Sequence, residues 1–248
     1  MPNYKMTRQL LIILTILFAA CVQKNATNEK KTADNVVKIS SDSLGTFSIN
    51  KATIDDFAKA KMNFKDKILY DTTTFKKKNG IIKLPVDEKW QPFVFYTDTL
   101  VNTDEGGIRE YKYLGQFDNI GFYIVEGNFY EHYECYLINK GIGNKITIWN
   151  KPIITTDEKF IANLSMPFGL EGVPNGLQIW RVDRHKENEV EPISISKYLE
   201  LDQQIWAPLD FVWETNNSLL LKVIAVDKFW DSHGQLNNKD YYFIRLKI

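Results

Sequence analysis

Alternating apolar and polar residues recur from Tyr111 to Ile248, and this pattern limits the fold more than any other feature of the chain. A period of about two is that of a β-strand, whose successive side chains point to opposite faces of a sheet. The alternating runs cover residues 120–126, 130–138, 145–149, 159–164, 177–182, 209–213, 219–226 and 241–248. Glycine, asparagine and aspartate separate many of them, and no long helical pattern interrupts the series. The sequence therefore predicts a mainly β protein built as an antiparallel meander, because parallel strands need long crossover segments.

The segment before this β region predicts one short helix. Thr53 is followed three residues later by Asp56, a spacing typical of a capping box at a helix start. Apolar residues then recur at helical spacing, which predicts a helix over residues 54–62. This helix and the short strands predicted after it make 44–110 an α+β segment.

Short strands are predicted on the C-terminal side of this helix, at residues 67–70, 80–84 and 92–97. Asn79-Gly80 is a strong signal for a tight turn between them. The glycine-rich loop at 103–107 is the predicted boundary between the α+β segment and the β region.

A faint internal repeat runs through the β region at an offset of 57 residues, since Ile148-Trp149 before Pro152 is echoed by Ile205-Trp206 before Pro208. Each copy continues with a strand, a polar turn, a second strand, a long loop and a third strand. The segment 152–162 resembles the inner-strand turn of β-propeller repeats in bacterial envelope proteins. This resemblance implies a propeller-like or partial-propeller fold, with a β-sandwich or open barrel as the alternative.

The start of the chain predicts an export signal. Lys5 and Arg8 precede an apolar run over 10–20, which is shorter than the roughly 18 to 20 residues that span a bilayer. The run ends in Phe18-Ala19-Ala20-Cys21, which resembles the lipobox of bacterial lipoproteins. The resemblance implies cleavage before Cys21 and attachment of a diacylglyceryl group to its sulfur.

Four parts of the chain follow from these signals: a signal peptide at 1–20, a tether at 21–43, and the segments 44–110 and 111–248, which can also form one domain. The tether is polar and cannot bury enough apolar surface to offset the entropy of ordering. No acidic cluster follows Cys21. By resemblance to the export signals of some lipoproteins, this favours a periplasm-facing location over display on the cell surface.

Composition narrows the possible partners. Removal of the signal peptide takes Lys5 and Arg8 from the 31 basic residues and leaves a net charge near −2 against 31 acidic residues. A near-neutral chain argues against nucleic acid as a partner. Cys135 then remains as the single unmodified thiol. Strand alternation places it on the face opposite His132, so we expect a small buried hydrophobe and not a Cys/His pair.

No recognisable catalytic signature occurs in the sequence. The nucleophile elbow, the phosphate-binding glycine loops and paired metal-ligand spacings are all missing. We therefore expect a non-catalytic protein without a cofactor.

The long loop 227–240 combines carboxylates, a histidine and large aromatic side chains, and long loops of this kind are often functional. Its counterpart in the repeat is the loop 165–176. Both loops should leave their sheets at the same end, which predicts a ligand- or partner-binding rim with these members: Met166, Phe168, Phe229 and Trp230. The alternative is that these aromatic side chains fold back over the edge of the core. Asp227, Asp231 and His233 are a weaker candidate metal site, because their spacing matches no calcium loop.

The sequence thus predicts a membrane-anchored lipoprotein of the bacterial cell envelope whose β module binds a protein partner or a small ligand. One alternative is an envelope hydrolase or metal-dependent enzyme, which would bring the carboxylates of the rim, among them Glu171 and Asp240, into one cleft. Another is an immunity-type partner that protects against a toxin.

Overall fold

A computed structural model describes residues 46–100, 107–130, 132–166, 173–185, 193–237 and 239–248. The predicted signal peptide, the tether and most of the predicted boundary at 103–107 lie outside these residues. The described chain contains one α-helix, α1 (Ile54–Asn63), and no helix in it is both long and apolar enough to cross a membrane.

The described strands form four antiparallel sheets. In chain order they are β1 (Ser48–Ala52), β2 (Ile81–Pro85), β3 (Phe93–Thr97), β4 (Thr99–Leu100), β5 (Ile108–Phe117), β6 (Phe122–Phe129), β7 (Tyr133–Asn139), β8 (Lys145–Ile148), β9 (Ile153–Ile154), β10 (Phe160–Ser165), β11 (Gly176–Arg184), β12 (Ile193–Asp202), β13 (Trp206–Thr215), β14 (Ser218–Ala225) and β15 (Tyr241–Lys247). Sheet I has the order β4-β5-β6-β7-β8, sheet II β12-β11-β10-β9 and sheet III β1-β15-β14-β13, while β2 and β3 form a separate hairpin.

Sheet II lies in the middle of a face-to-face stack. One of its faces packs on sheet III through buried side chains such as Leu177, Leu199 and Leu221. Its other face packs on sheet I through side chains such as Ile161 and Ile124. Burial on both faces explains why the strands of sheet II are so apolar, since each side of the sheet needs a hydrophobic surface.

The hairpin and the helix cover the two outer faces of this stack. Ile82 and Leu84 of β2 are fully buried against tyrosines of sheet I. Phe57 and Ala60 of α1 pack on sheet III. The helix begins as predicted, because Thr53 and Asp56 form a reciprocal capping box.

The mainly β, antiparallel fold with one short N-terminal helix is confirmed. Within the described residues the sheets stack, but they close into neither a propeller nor a barrel. The two copies of the sequence repeat become β9-β10-β11 and β13-β14-β15, with the same connections. The fourth strand differs, because β12 follows β11 along the chain, whereas β1 from the N-terminal side pairs with β15.

The strand predicted at 67–70 is wrong, because only one isolated bridge joins Leu69 to Gln116. Ile68 is buried in the core between sheets I and II, and Leu69 approaches β5 closely through reciprocal backbone hydrogen bonds with Gln116. This close approach requires Gly115, whose φ is 150° and where a Cβ atom would lie 2.5 Å from the Leu69 carbonyl oxygen. The predicted turn at Asn79-Gly80 is confirmed, with φ of 51° and 74° and reciprocal hydrogen bonds between Lys78 and Ile81.

Candidate functional site

A cleft of about 880 Å³ opens between sheets I and II. It lies at the end of the stack where β6 and β8 finish, β7 begins and β10 finishes. Its walls come from both sheets, so the stacking that builds the core also builds the cleft. We take this cleft as the candidate site because concave, partly apolar cavities between packed elements are where small ligands bind.

Aromatic and apolar side chains make up most of the walls. Sheet I contributes Phe129 and Tyr133, and Trp149 follows β8. The ring of Phe129 stacks on His132 with centroids 4.4 Å apart and an interplanar angle of 7°. The opposite wall consists of residues that flank β10 and β11, namely Met166, Val173 and Pro174.

Two glutamates of sheet I line the cleft. Glu126 lies on the face that packs on sheet II, whereas Glu134 lies on the opposite face of β7, on the side of Tyr136. Burial and the neighbouring Glu126 carboxylate raise the pKa of Tyr133 far above its usual range. Glu134 accepts a 2.5 Å hydrogen bond from the hydroxyl of Tyr136, and its other oxygen lies 3.7 Å from His132 Nε2. Among the described residues that line the cleft there is no lysine or arginine.

A buried amide pair supports the cleft from sheet II. The backbone N–H of Trp149 donates to both Asn163 Oδ1 and Gln178 Oε1, each at 3.2 Å. Gln178 also accepts from Trp180 Nε1 at 3.3 Å and donates to Glu200 at 2.7 Å. These bonds fix the start of the β8–β9 connection, so the Trp149 side chain is held by residues of the neighbouring sheet.

The predicted rim is divided between the cleft and the core. Met166 lines the cleft and also packs against the buried cluster that contains Phe229. Phe229 is only 5% exposed, whereas Trp230 is 47% exposed and contacts the Phe229 ring edge-on at 4.9 Å. Phe168 lies outside the described residues. Phe229 therefore folds back over the core edge, and Met166 is the rim residue that reaches the cleft.

The long loop 227–240 has a shallow concavity of about 770 Å³. Asp227, Asp231, His233 and Asp240 line it and all are exposed. Asp231 Oδ1 accepts from the backbone N–H groups of His233 and Gln235, at 2.8 and 2.9 Å. Asp231 therefore shapes the loop itself.

This loop does not bring the residues of the weaker candidate metal site together. Among the described residues, no three His, Cys, Asp or Glu side chains are grouped so as to hold a metal ion, and this includes Asp227, Asp231 and His233. Asp240 accepts from Asn237 Nδ2 at 2.9 Å. Glu171, the remaining carboxylate of the hydrolase hypothesis, lies outside the described residues.

Cys135 is buried as expected, on the face of β7 that packs on sheet II. Burial raises the pKa of its thiol, which stays protonated at neutral pH. His132 is exposed before the start of β7, so the two side chains form no catalytic pair.

Sequence reasoning missed most of the cleft, because its residues come from five separate strands or their ends. A local signal did exist in the sequence: the stretch Phe129–Tyr136 concentrates aromatic, acidic and imidazole side chains at the junction of two strands. The alternating pattern led us to interpret these side chains as ordinary strand residues. No family model, curated protein or solved structure matches this chain.

Proposed function

We propose that this protein is a lipid-anchored protein of the bacterial cell envelope whose β body binds a small ligand in the cleft between sheets I and II. The cleft itself is the observation that supports ligand binding. Its volume of about 880 Å³ falls within the roughly 300 to 1,000 Å³ of typical ligand sites. Its apolar walls supply contact area, and its few polar groups can fix the orientation of a ligand.

The anchor is supported by the leader and by the lipobox-like residues that end at Cys21. Two or three acyl chains, at about 0.8 kcal/mol for each buried methylene, hold a protein on a membrane durably. A periplasm-facing address agrees with the absence of an acidic cluster after Cys21. The body would then meet its ligand close to the membrane.

Radiolabelled palmitate and membrane fractionation test the anchor. The full chain should incorporate the label and sediment with membranes, whereas Cys21→Ser should do neither, because its hydroxyl does not replace the acylated sulfur. Cys135→Ala is the matched control, since it removes the other thiol and should keep both properties. Membrane attachment of Cys21→Ser would contradict the proposal.

A neutral fluorescent probe, N-phenyl-1-naphthylamine, tests the cleft. Its fluorescence should rise on binding, and Trp149→Ala should weaken its affinity by about fivefold or more, since the loss of one aromatic wall costs about 1 kcal/mol or more. Trp230→Ala removes a tryptophan from the loop 227–240 and should leave the affinity unchanged. Equal effects of the two substitutions would contradict binding in the cleft.

A further inference from the structure

We propose that the cleft selects a small organic cation, a primary ammonium group carried on an apolar body. This inference rests on the proposed function, because it names the class of ligand for the same cleft. Three features of the described residues support it: the Glu126 carboxylate has no lysine or arginine partner, aromatic rings of the cleft carry no lysine, and sheet II adds an apolar wall.

The carboxylates of the cleft differ from others in the molecule in their partners. Glu158 forms ion pairs with Lys67 and Arg184, and Glu214 forms a two-point contact with Arg245. In the described part of the chain, Glu126 and Glu134 have no ion pair with a lysine or arginine. The partners of Glu134 are the Tyr136 hydroxyl and His132.

A lysine does lie near one of these carboxylates without pairing to it. Lys112 is opposite Glu126 in the β5–β6 register, and it is exposed. No ion pair joins the two side chains. The Glu126 carboxylate has two oxygens and about four acceptor positions, so it can accept hydrogen bonds from a bound ammonium group.

The aromatic rings show the same contrast. Elsewhere in the fold, lysines sit over aromatic faces: Lys83 Nζ lies 3.6 Å from the Phe93 centroid, and Lys222 Nζ lies 3.8 Å from that of Tyr241. One face of the Phe129 ring is covered by His132. Among the described residues, no lysine or arginine occupies the faces of the other two cleft rings, those of Tyr133 and Trp149. Such faces attract cations, most strongly where water is excluded.

The remaining wall determines the rest of the ligand. Met166, Val173 and Pro174 provide an apolar surface across from the carboxylates. A bare ammonium ion would leave this surface and most of the cleft volume unused. An aryl or alkyl body attached to the ammonium group would fill it and would gain from its burial.

Isothermal titration calorimetry with three probes of equal shape tests this inference on the protein without its signal peptide. The probes are 1-naphthylmethylammonium, 1-naphthalenemethanol and 1-naphthoate. We expect the ammonium to bind roughly tenfold more tightly than the alcohol, because one charge-assisted hydrogen bond and one cation–π contact are each worth about 1 kcal/mol or more. The carboxylate should bind most weakly.

Glu126→Gln gives the matching change in the protein. It keeps the size of the side chain and one acceptor oxygen but removes the charge. The preference for the ammonium over the alcohol should therefore fall several-fold while binding of the alcohol stays the same. Glu88→Gln, on the loop between β2 and β3, is the control and should change neither affinity.

The outcomes separate the two proposals. If the alcohol binds as tightly as the ammonium, or if Glu126→Gln leaves their ratio unchanged, the cation inference is wrong while ligand binding in the cleft stands. If none of the three probes binds, and N-phenyl-1-naphthylamine also fails to bind, both proposals are wrong. The circular dichroism spectrum of Glu126→Gln should match that of the parent, which shows that the variant is folded and that the affinities can be compared.

Discussion

Three strands of sheet II and three strands of sheet III follow the same order, yet the two sheets differ in what covers one end of the face that each turns away from the other. On sheet III, Ala207 and Ile224 are covered by Phe229, which comes from the long loop after β14. On sheet II, Ser165 stands at the corresponding end of β10 and faces the cleft. One fold therefore yields a closed end and an open end, and a single loop side chain makes much of the difference.

The largest effect is expected at the closed end. Phe229→Ala should lower the free energy of unfolding by about 3 kcal/mol, because it removes a buried aromatic ring and leaves a cavity over Ile224. Urea denaturation followed by tryptophan fluorescence measures this change. Trp230→Ala, one residue further and half-exposed, should stay within about 0.5 kcal/mol of the parent. Similar losses for the two variants would mean that Phe229 does not close the end of sheet III.

A smaller effect is expected beneath the open end. Gln178→Met keeps the length of the side chain but removes the acceptor for Trp180 Nε1 and the donor to Glu200, which keeps its ion pair with Lys197; the change should cost about 2 kcal/mol. Asn163→Leu should cost less than about 1 kcal/mol, since Asn163 Nδ2 is buried without a hydrogen-bond partner and Gln178 still accepts from Trp149. Thermal unfolding of both variants measures the difference. An Asn163→Leu loss as large as that of Gln178→Met would show that the two amides support the cleft equally.

The elements that were predictable from sequence are those with strong local signals. The capping box of Thr53 and Asp56 fixed the helix start, and the alternating runs located most strands of the three large sheets. The repeat predicted that two sheets share one connectivity. Each of these depends on residues that are close together along the chain.

The features that were missed depend on distant residues. The short β1 carries little alternation, and it becomes a strand because β15, nearly two hundred positions later, offers an unpaired edge. The strand β12 alternates only in part, and it pairs with β11 along its whole length. The cleft was missed for the same reason, because Glu126, Trp149 and Met166 meet only when sheets I and II stack.

An ion pair at the turn end of sheet III offers a pH-dependent comparison with sheet II. Hydrogen bonds from Arg245 hold the pKa of Glu214 below its usual range. Glu214→Gln should lower the free energy of unfolding by about 1 kcal/mol at pH 7, a modest value because both groups stay partly exposed to solvent. Glu158 has a comparable role beside sheet II, with Lys67 and Arg184 as partners.

The sign of the pH dependence follows from the lowered pKa. In the unfolded chain a glutamate side chain has a pKa of about 4.3. The stabilisation by Glu214 is therefore complete above that pH and is lost as the pH falls through the lower pKa of the folded state. The difference between the parent and Glu214→Gln should thus shrink in acid. A constant difference from pH 7 to pH 3 would show that packing, and not charge, accounts for it.

The smallest change in stability, with a clear change in binding, is expected when the open end is closed by substitution. Ser165→Leu places an apolar side chain at the end of sheet II that corresponds to the end of sheet III covered by Phe229. Because the cleft has room for this side chain, the free energy of unfolding should stay within about 1 kcal/mol of that of the parent. The added side chain should also reduce the affinity for N-phenyl-1-naphthylamine several-fold, because it fills part of the cleft. Ser165→Ala removes the hydroxyl without filling the space and should bind the probe as the parent does. If Ser165→Leu binds the probe normally, the end of sheet II is not the place where the ligand sits, and the contrast with sheet III concerns packing alone.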